Sequence, residues 1–240
     1  MRRSPIILFT LVLLALYPTL VSAGPTMNDV QQALVDLTPA RSVEIMDAFS
    51  LGFKQGRLNI SDTLHLINRL HDYPGEQVDK EGIVLAIAHA LQDDLPAAML
   101  IEKAEEGMAR MVPLDVILNG VKGPPRILGL TEREYLLSAT KGTLYSKGIF
   151  ASPPGGKAAT ESLPLPRFDT LVNEISDALA DYVESGRSPM EGPLLYQQVS
   201  DRLNDLSSLK APIIPAGDAQ LVLERITPAD LTSVVLKLFE

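Results

Sequence analysis

The chain contains no cysteine and no tryptophan, and only six phenylalanines, six tyrosines and three histidines in 240 residues. Each shortage excludes a class of answer. Without cysteine there is no disulfide framework, no thiolate nucleophile and no cysteine-ligated metal centre. The lack of a cysteine near residue 23 also excludes a lipoprotein anchor. With so few rings, the core must be aliphatic, because apolar residues still make up 46% of the chain. His65, His71 and His89 carry no HExxH pattern, and His65 and His71, six apart, do not share a helix face, so no metal site is expected. His89 and Asp93 stand one helical turn apart, close enough to bond. Positive charge is short as well: 21 Lys and Arg face 30 Asp and Glu, a net charge of −9. That balance argues against nucleic acid or an anionic membrane surface as the main partner.

Catalytic signatures are missing too. No glycine-flanked serine marks a nucleophile elbow. Gly155-Gly156-Lys157 lacks both the earlier glycine and the following Ser or Thr of a phosphate loop. No catalytic residue and no cofactor is therefore expected.

What is present begins with an export signal. Arg2 and Arg3 precede an apolar run from Ile6 to Leu20, and Val21-Ser22-Ala23 places small side chains before Gly24. This is the pattern of a cleavable signal peptide. The run spans 15 residues, short of the roughly 20 that a permanent membrane helix needs. Cleavage near Ala23-Gly24 is expected to release a soluble periplasmic or secreted protein. No later apolar run is long enough to cross a membrane. Removing Arg2 and Arg3 leaves 19 basic against 30 acidic residues, a net −11.

The rest of the chain has helical spacing. Val30, Leu34 and Leu37 form a stripe, and Ile83, Ile87, Ala90 and Leu91 form another. Thr38-Pro39 reads as a helix start, and Gly56 as a helix stop. Ser61 begins a helix that Pro74-Gly75 ends. Thr131 with Glu134, and Ser188 with Glu191, have the spacing of capping boxes. Thr227-Pro228 with Asp230 opens the last helix. Residues 149–166 hold Pro153, Pro154, Gly155, Gly156, Pro164 and Pro166 without apolar periodicity, the composition of a linker.

The expected fold is all-α, either an irregular multi-helix bundle or two stacked helical-hairpin modules joined by that linker. The expected organisation is a signal peptide at 1–23, an N-terminal helical module at 24–148, the linker at 149–166 and a C-terminal helical module at 167–240. A faint repeat favours two modules. Glu44-Ile45, Asp47-Ala48 and Gly56-Arg57 recur at the same spacing as Glu174-Ile175, Asp177-Ala178 and Gly186-Arg187. Arg69-Leu70 matches Arg202-Leu203 after a three-residue shift. Chance likeness of two amphipathic helices is the competing explanation.

The most distinctive stretch is Leu95–Leu118, LPAAMLIEKAEEGMARMVPLDVIL. Through Leu95, Pro96, Leu100, Lys103, Glu106, Gly107, Ala109, Val112, Pro113 and Ile117 it resembles uncharacterised exported bacterial helical proteins that share an LPxxxLxxKxxEGxAxxVPxxxI-type motif. The resemblance implies a helical fold and an envelope or secreted setting, and brings no activity. Helical spacing puts Glu102, Glu106 and Arg110 on one face, with Lys103 within reach of Glu106. These four form the candidate interaction face; a solvated, charged helix surface is the plain alternative. Gly107 in mid-helix costs about 1 kcal/mol relative to alanine, so a close neighbour is expected there.

The leading functional expectation is a non-enzymatic interaction or scaffold protein of the cell envelope with a protein partner. The alternative is a carrier of a small apolar ligand lined by Met99, Met108 and Met111, because methionine adapts to irregular apolar shapes. A helical enzyme using Glu102, Glu106 or His89 comes third.

Overall fold

A segment whose apolar side chains recur every three or four residues has one face to bury, and nearly every such segment in this chain folds as a helix. The computed structural model describes residues 24–122, 125–149, 163 and 165–239. The expected export signal, and all but the edges of the Pro/Gly-rich stretch, lie outside these residues. The described residues form eleven α-helices and no strand; Val121 and Ile127 make one isolated antiparallel bridge. The protein is all-α, as its sequence predicts.

Helix α1 spans Met27–Leu37, α2 Ser42–Gln55, α3 Ile60–Asp72 and α4 Gln77–Gln92. Helix α5 spans Ala98–Ala109 and the short α6 Leu114–Asn119. Helix α7 spans Leu130–Ser146, α8 Leu165–Glu184 and α9 Gly192–Ser208. Helix α10 spans Ala216–Arg225, and α11 spans Pro228–Leu236, followed by a 3-10 turn at Lys237–Phe239. Thr26 caps α1 and Thr227 caps α11, each in a reciprocal box with an aspartate three residues on. Gly56 closes α2 in the left-handed conformation, φ 70°.

Several helix boundaries differ from the sequence expectation. Thr38 does not open α2. It closes α1, its hydroxyl donating to the Leu34 carbonyl at 3.1 Å, and α2 begins only at Ser42. The cap of α3 is Asn59, whose side chain accepts from the Ser61 amide at 2.7 Å. Thr131 lies inside α7 and donates to the Leu118 carbonyl; the return bond at that terminus runs from the Gly129 amide to Glu132. Ser188 precedes α9 by too much to cap it, because Glu191 holds that position. Helix α10 escaped the sequence reading altogether.

The first six helices stack by skipping one. Helix α1 packs on α3, α2 on α4, α3 on α5 and α4 on α6. Beyond them α7 packs on α8, α8 on α9 and α9 on α11, and α11 returns to α7. The sequence echo is real at the level of burial: Ile45, Ala48, Ile175 and Ala178 are all buried, and Gly56 and Gly186 are both left-handed. It does not extend to packing. Helices α8 and α9 lie along each other, whereas α2 and α3 make no comparable contact. The echo is thus one of helix punctuation and burial, carried by two helix pairs that pack differently.

One apolar cluster runs from Val30 to Val235, with Tyr182, Phe49 and Phe168 its largest buried side chains. Each fully buried leucine or isoleucine contributes about 1.5–3 kcal/mol, so an aliphatic core of this extent replaces the missing disulfides. Helices on both sides of the Pro/Gly-rich stretch share the cluster. Where that stretch begins and ends, the Leu163 amide donates to the Ile149 carbonyl at 3.1 Å, and both residues are buried. Ile149 and Leu163 thus lie side by side in the core.

Candidate functional site

Helix α5 carries the predicted face, and its geometry follows from the spacing. Arg110 lies one turn beyond Glu106 and pairs with it at 2.6 Å. Lys103 reaches Glu106 at 3.4 Å along the helix and Asp177 of α8 at 3.4 Å across the seam. Lys103, Glu106 and Arg110 line a cleft of about 390 Å³ between α5–α6 and α7–α8. Glu102 is separate: it lines a neighbouring hollow of about 250 Å³ with Asn173, Glu174 and Arg202, and Lys103 borders both. The structure thus groups three of the four predicted residues and sets Glu102 aside.

Gly107 has a packing role. A β-carbon there would stand 2.8 Å from Ile117 Cγ1, so the glycine lets α6 approach α5. The approach brings Val116 and Ile117 to the cleft, which Ile127 and Leu128 on the chain entering α7 also line.

The remaining lining is charged: Arg126 before α7, Arg133 of α7, and Asp181 and Glu184 of α8 join the three α5-side residues. Arg133 of α7 is nearly buried and donates to Glu184 at 2.8 Å, and the Leu128 amide donates to the same carboxylate at 2.8 Å. Arg202 of α9 bonds Glu174 at 2.8 Å and Asp177 at 3.1 Å. Arg126 pairs with Glu132 at 2.8 Å. Asp177 Oδ1 faces Lys103 at 3.4 Å and Arg133 Nη1 at 3.7 Å without closing a hydrogen bond to either.

Seven charged side chains line the cleft: Lys103, Glu106, Arg110, Arg126, Arg133, Asp181 and Glu184. Six are in ion pairs. Asp181 has none among the described residues. Desolvation raises its carboxyl pKa, and the Asp177 and Glu184 charges add to the rise against the pull of Lys103 and Arg202.

A second cleft of about 680 Å³ adjoins the first and shares Arg126 and Glu184 with it. Lys122, Arg187, Leu238 and Phe239 help to line it, and the Arg126 guanidinium lies 4.3 Å from the Phe239 ring centre. Exposed apolar side chains gather around the pair: Ile127, Val121 and Phe239, with Met111 between the cleft residues Arg110 and Val112. Met111 is 73% exposed and holds a left-handed backbone, φ 59°.

A separate charged network ties the segments before and after the Pro/Gly-rich stretch together. Arg57, its side chain 4% exposed, donates from Nε to Asp169 of α8 at 3.0 Å and pairs through Nη1 with Asp94. Lys141 of α7 holds Asp94 from the other side at 3.2 Å. Burial pushes the Asp169 carboxyl pKa up, and Arg57 opposes that rise.

The other sequence candidates do not converge. Met99 and Met108 lie in the core while Met111 is on the surface. His89 is exposed on α4, beside Glu134, whose pKa burial raises against the pull of the histidine. His65 stands 3.8 Å from Glu105, which also accepts from Arg69. Among the described residues no group of three or more His, Asp and Glu is placed to hold a metal ion. Among those residues no helix is long and apolar enough to cross a membrane. Sequence reasoning missed the contribution of α8, although Glu174, Asp177, Asp181 and Glu184 recur there at helical spacing. No family model, curated protein or solved structure matches the chain.

Proposed function

We propose that the protein is a non-enzymatic interaction protein, exported to the cell envelope as a periplasmic or secreted product, and that it binds a protein partner over the paired clefts. The observation that carries this reading is the surface itself. Two adjoining clefts share Arg126 and Glu184, and exposed Met111, Ile127 and Phe239 surround them. Methionine, arginine and aromatic side chains beside apolar hollows are the composition of protein interfaces. Catalysis has less support, because Glu106 and Glu184 are held in ion pairs. The export setting rests on the Arg2-to-Ala23 pattern and on the resemblance carried by Leu95–Ile117.

The test is a double variant, Met111→Asp with Ile127→Asp, on exposed positions that leave the core intact. Wild type and variant are recovered from envelope extracts and their bound proteins quantified by mass spectrometry. At least one protein enriched by the wild type is expected to fall about tenfold, which corresponds to about 1.4 kcal/mol of binding, with an unchanged circular dichroism spectrum and melting temperature. Identical sets of bound proteins would count decisively against the reading. N-terminal sequencing of the exported chain is expected to begin near Gly24; a start at Met1 refutes the export signal.

A further inference from the structure

We infer that the larger cleft, the one lined by Lys122, Arg126 and Arg187, binds a small carboxylic acid with an aliphatic body. This goes beyond the interaction-protein reading, because it gives the larger cleft a ligand of its own.

Charge selects the head group. Three cations line this cleft against one carboxylate, Glu184. That carboxylate is already engaged: it pairs with Arg133 and accepts from the Leu128 amide, both at 2.8 Å. The Arg126 charge is met by Glu132 at 2.8 Å. Lys122 and Arg187 have no carboxylate partner among the described residues. Arg187 has only the Gln198 side chain at 3.4 Å and the Tyr182 ring, whose centre lies 5.6 Å from its guanidinium carbon. Lys122 follows the bridge residue Val121, and Arg187 lies just past the end of α8, so uncommitted cations from distant segments line one hollow. Their complement is an anion. The chain carries a net charge of −9, but at physiological salt that field is screened over about 8 Å, so the cations at the hollow decide.

Apolar surface selects the body. Pro125, Val183, Leu238 and Phe239 line the same hollow. Arg126 holds the last two in place: it donates to the Leu238 carbonyl at 2.8 Å and lies 4.3 Å from the Phe239 ring centre. A bare inorganic anion gains nothing from such a lining. An alkyl chain does, up to about fourfold in affinity for each methylene buried. The volume of about 680 Å³ falls in the range of roughly 300–1,000 Å³ typical of small-ligand sites. A free acid suits the cleft better than the end of a polypeptide. The described residues contain no strand, so an extended chain finds no sheet edge on which to pair its backbone.

The experiment titrates the isotope-labelled protein with butanoate, hexanoate and octanoate and follows amide NMR shifts. Acetate, 1-octanol and octylammonium serve as comparators. Octanoate is expected to give saturable shifts at Glu184, Gly186, Arg187 and Phe239. It is expected to bind about tenfold more tightly than any comparator, and affinity is expected to rise along the series from butanoate. Lys122→Gln with Arg187→Gln, at two exposed positions, is expected to weaken octanoate binding about tenfold with an unchanged circular dichroism spectrum. Lys122→Gln alone, which breaks no bond among the described residues, is expected to weaken it about threefold. No saturable octanoate binding overturns the proposal; the full chain is titrated, so a cleft satisfied by the protein's own acidic groups would give that result. Acetate binding as tightly as octanoate overturns it too, because the cleft then holds an adventitious ion only. Octanol or octylammonium binding as tightly removes the role of the cations, as does equal octanoate binding by both variants, and either result overturns the proposal. A peptide ending in leucine with a free carboxylate is expected to bind more weakly than octanoate; tighter binding overturns the assignment to a free acid. If Met111→Asp/Ile127→Asp loses a partner while octanoate does not bind, the interaction-protein reading stands and this inference alone fails. If octanoate binds as expected while that variant loses no partner, the reverse holds.

Discussion

Replacing Arg57 with methionine tests how the segments on either side of the Pro/Gly-rich stretch are joined. The arginine follows the left-handed Gly56 at the end of α2, and its partner Asp169 lies 112 positions later in α8. Methionine is similar in length and apolar, so the cavity it leaves is small. The main consequence is electrostatic. Asp94 keeps Lys141 and is half exposed, so it tolerates the loss. Asp169, with only 14% of its side chain exposed, keeps no cation in its pair. Removing one partner of a buried ion pair costs about 3–5 kcal/mol. Because only one of the two carboxylates is stranded, we expect the lower end, about 3 kcal/mol.

The pH dependence has a definite sign. Burial already holds the Asp169 pKa above its ordinary value, and Arg57 pulls it down. Without Arg57 it rises further. A carboxyl whose folded pKa is raised opposes folding while ionised, and the folded state gains stability as pH falls through that pKa. The deficit of Arg57→Met should therefore be largest at neutral pH and shrink in mild acid. Adding Asp169→Asn should recover most of it at neutral pH. Urea denaturation of the wild type and the two variants at neutral pH and in mild acid measures this. A deficit below about 1 kcal/mol at neutral pH, the scale of an exposed surface pair, would refute the reasoning, as would a deficit independent of pH.

Gly107→Ala should destabilise by up to about 2 kcal/mol, because overpacking against Ile117 outweighs the gain in helix propensity. In an Ile117→Ala background the same change should become stabilising by about 1 kcal/mol; chemical denaturation of the four proteins closes the cycle, and a stabilising Gly107→Ala in the wild type would show that α6 simply yields. A protease site inserted between Gly155 and Gly156 should allow a cut that leaves both fragments in one gel-filtration peak, because helices on either side share one apolar cluster. Separation of the fragments without denaturant would show two independent bodies.

The fold class was legible because apolar periodicity needs no partner to be seen: Val30, Leu34 and Leu37, or Ile83, Ile87 and Leu91, mark a buried face by themselves. The exact helix starts were less so. A threonine hydroxyl can accept from an amide ahead of it or donate to a carbonyl behind it, and Thr38 and Thr131 do the second. Helix α10 is short and follows Pro212 and Pro215, a setting that reads as loop. At the site, the Glu106–Arg110 pair was readable because both lie on one helix. The partners of Arg133 and Arg57, 51 and 112 positions away, were not. A local pattern shows which charges share a helix face, and only the packing of α5, α7 and α8 shows which charges meet.

Helix α8 supplies carboxylates to Arg57, Lys103 and Arg133, each of which is synthesised before it. In a nascent chain that stops short of residue 165, Arg57 already has Asp94 and Lys103 already has Glu106, but both carboxylates that face Arg133, Asp177 and Glu184, are still missing. Beside Arg133 lie Leu136 and Leu137 of α7, which become buried in the finished core. Completion of this seam thus waits on one late helix, and a premature stop before it would leave Arg133 without its carboxylates beside uncovered leucines.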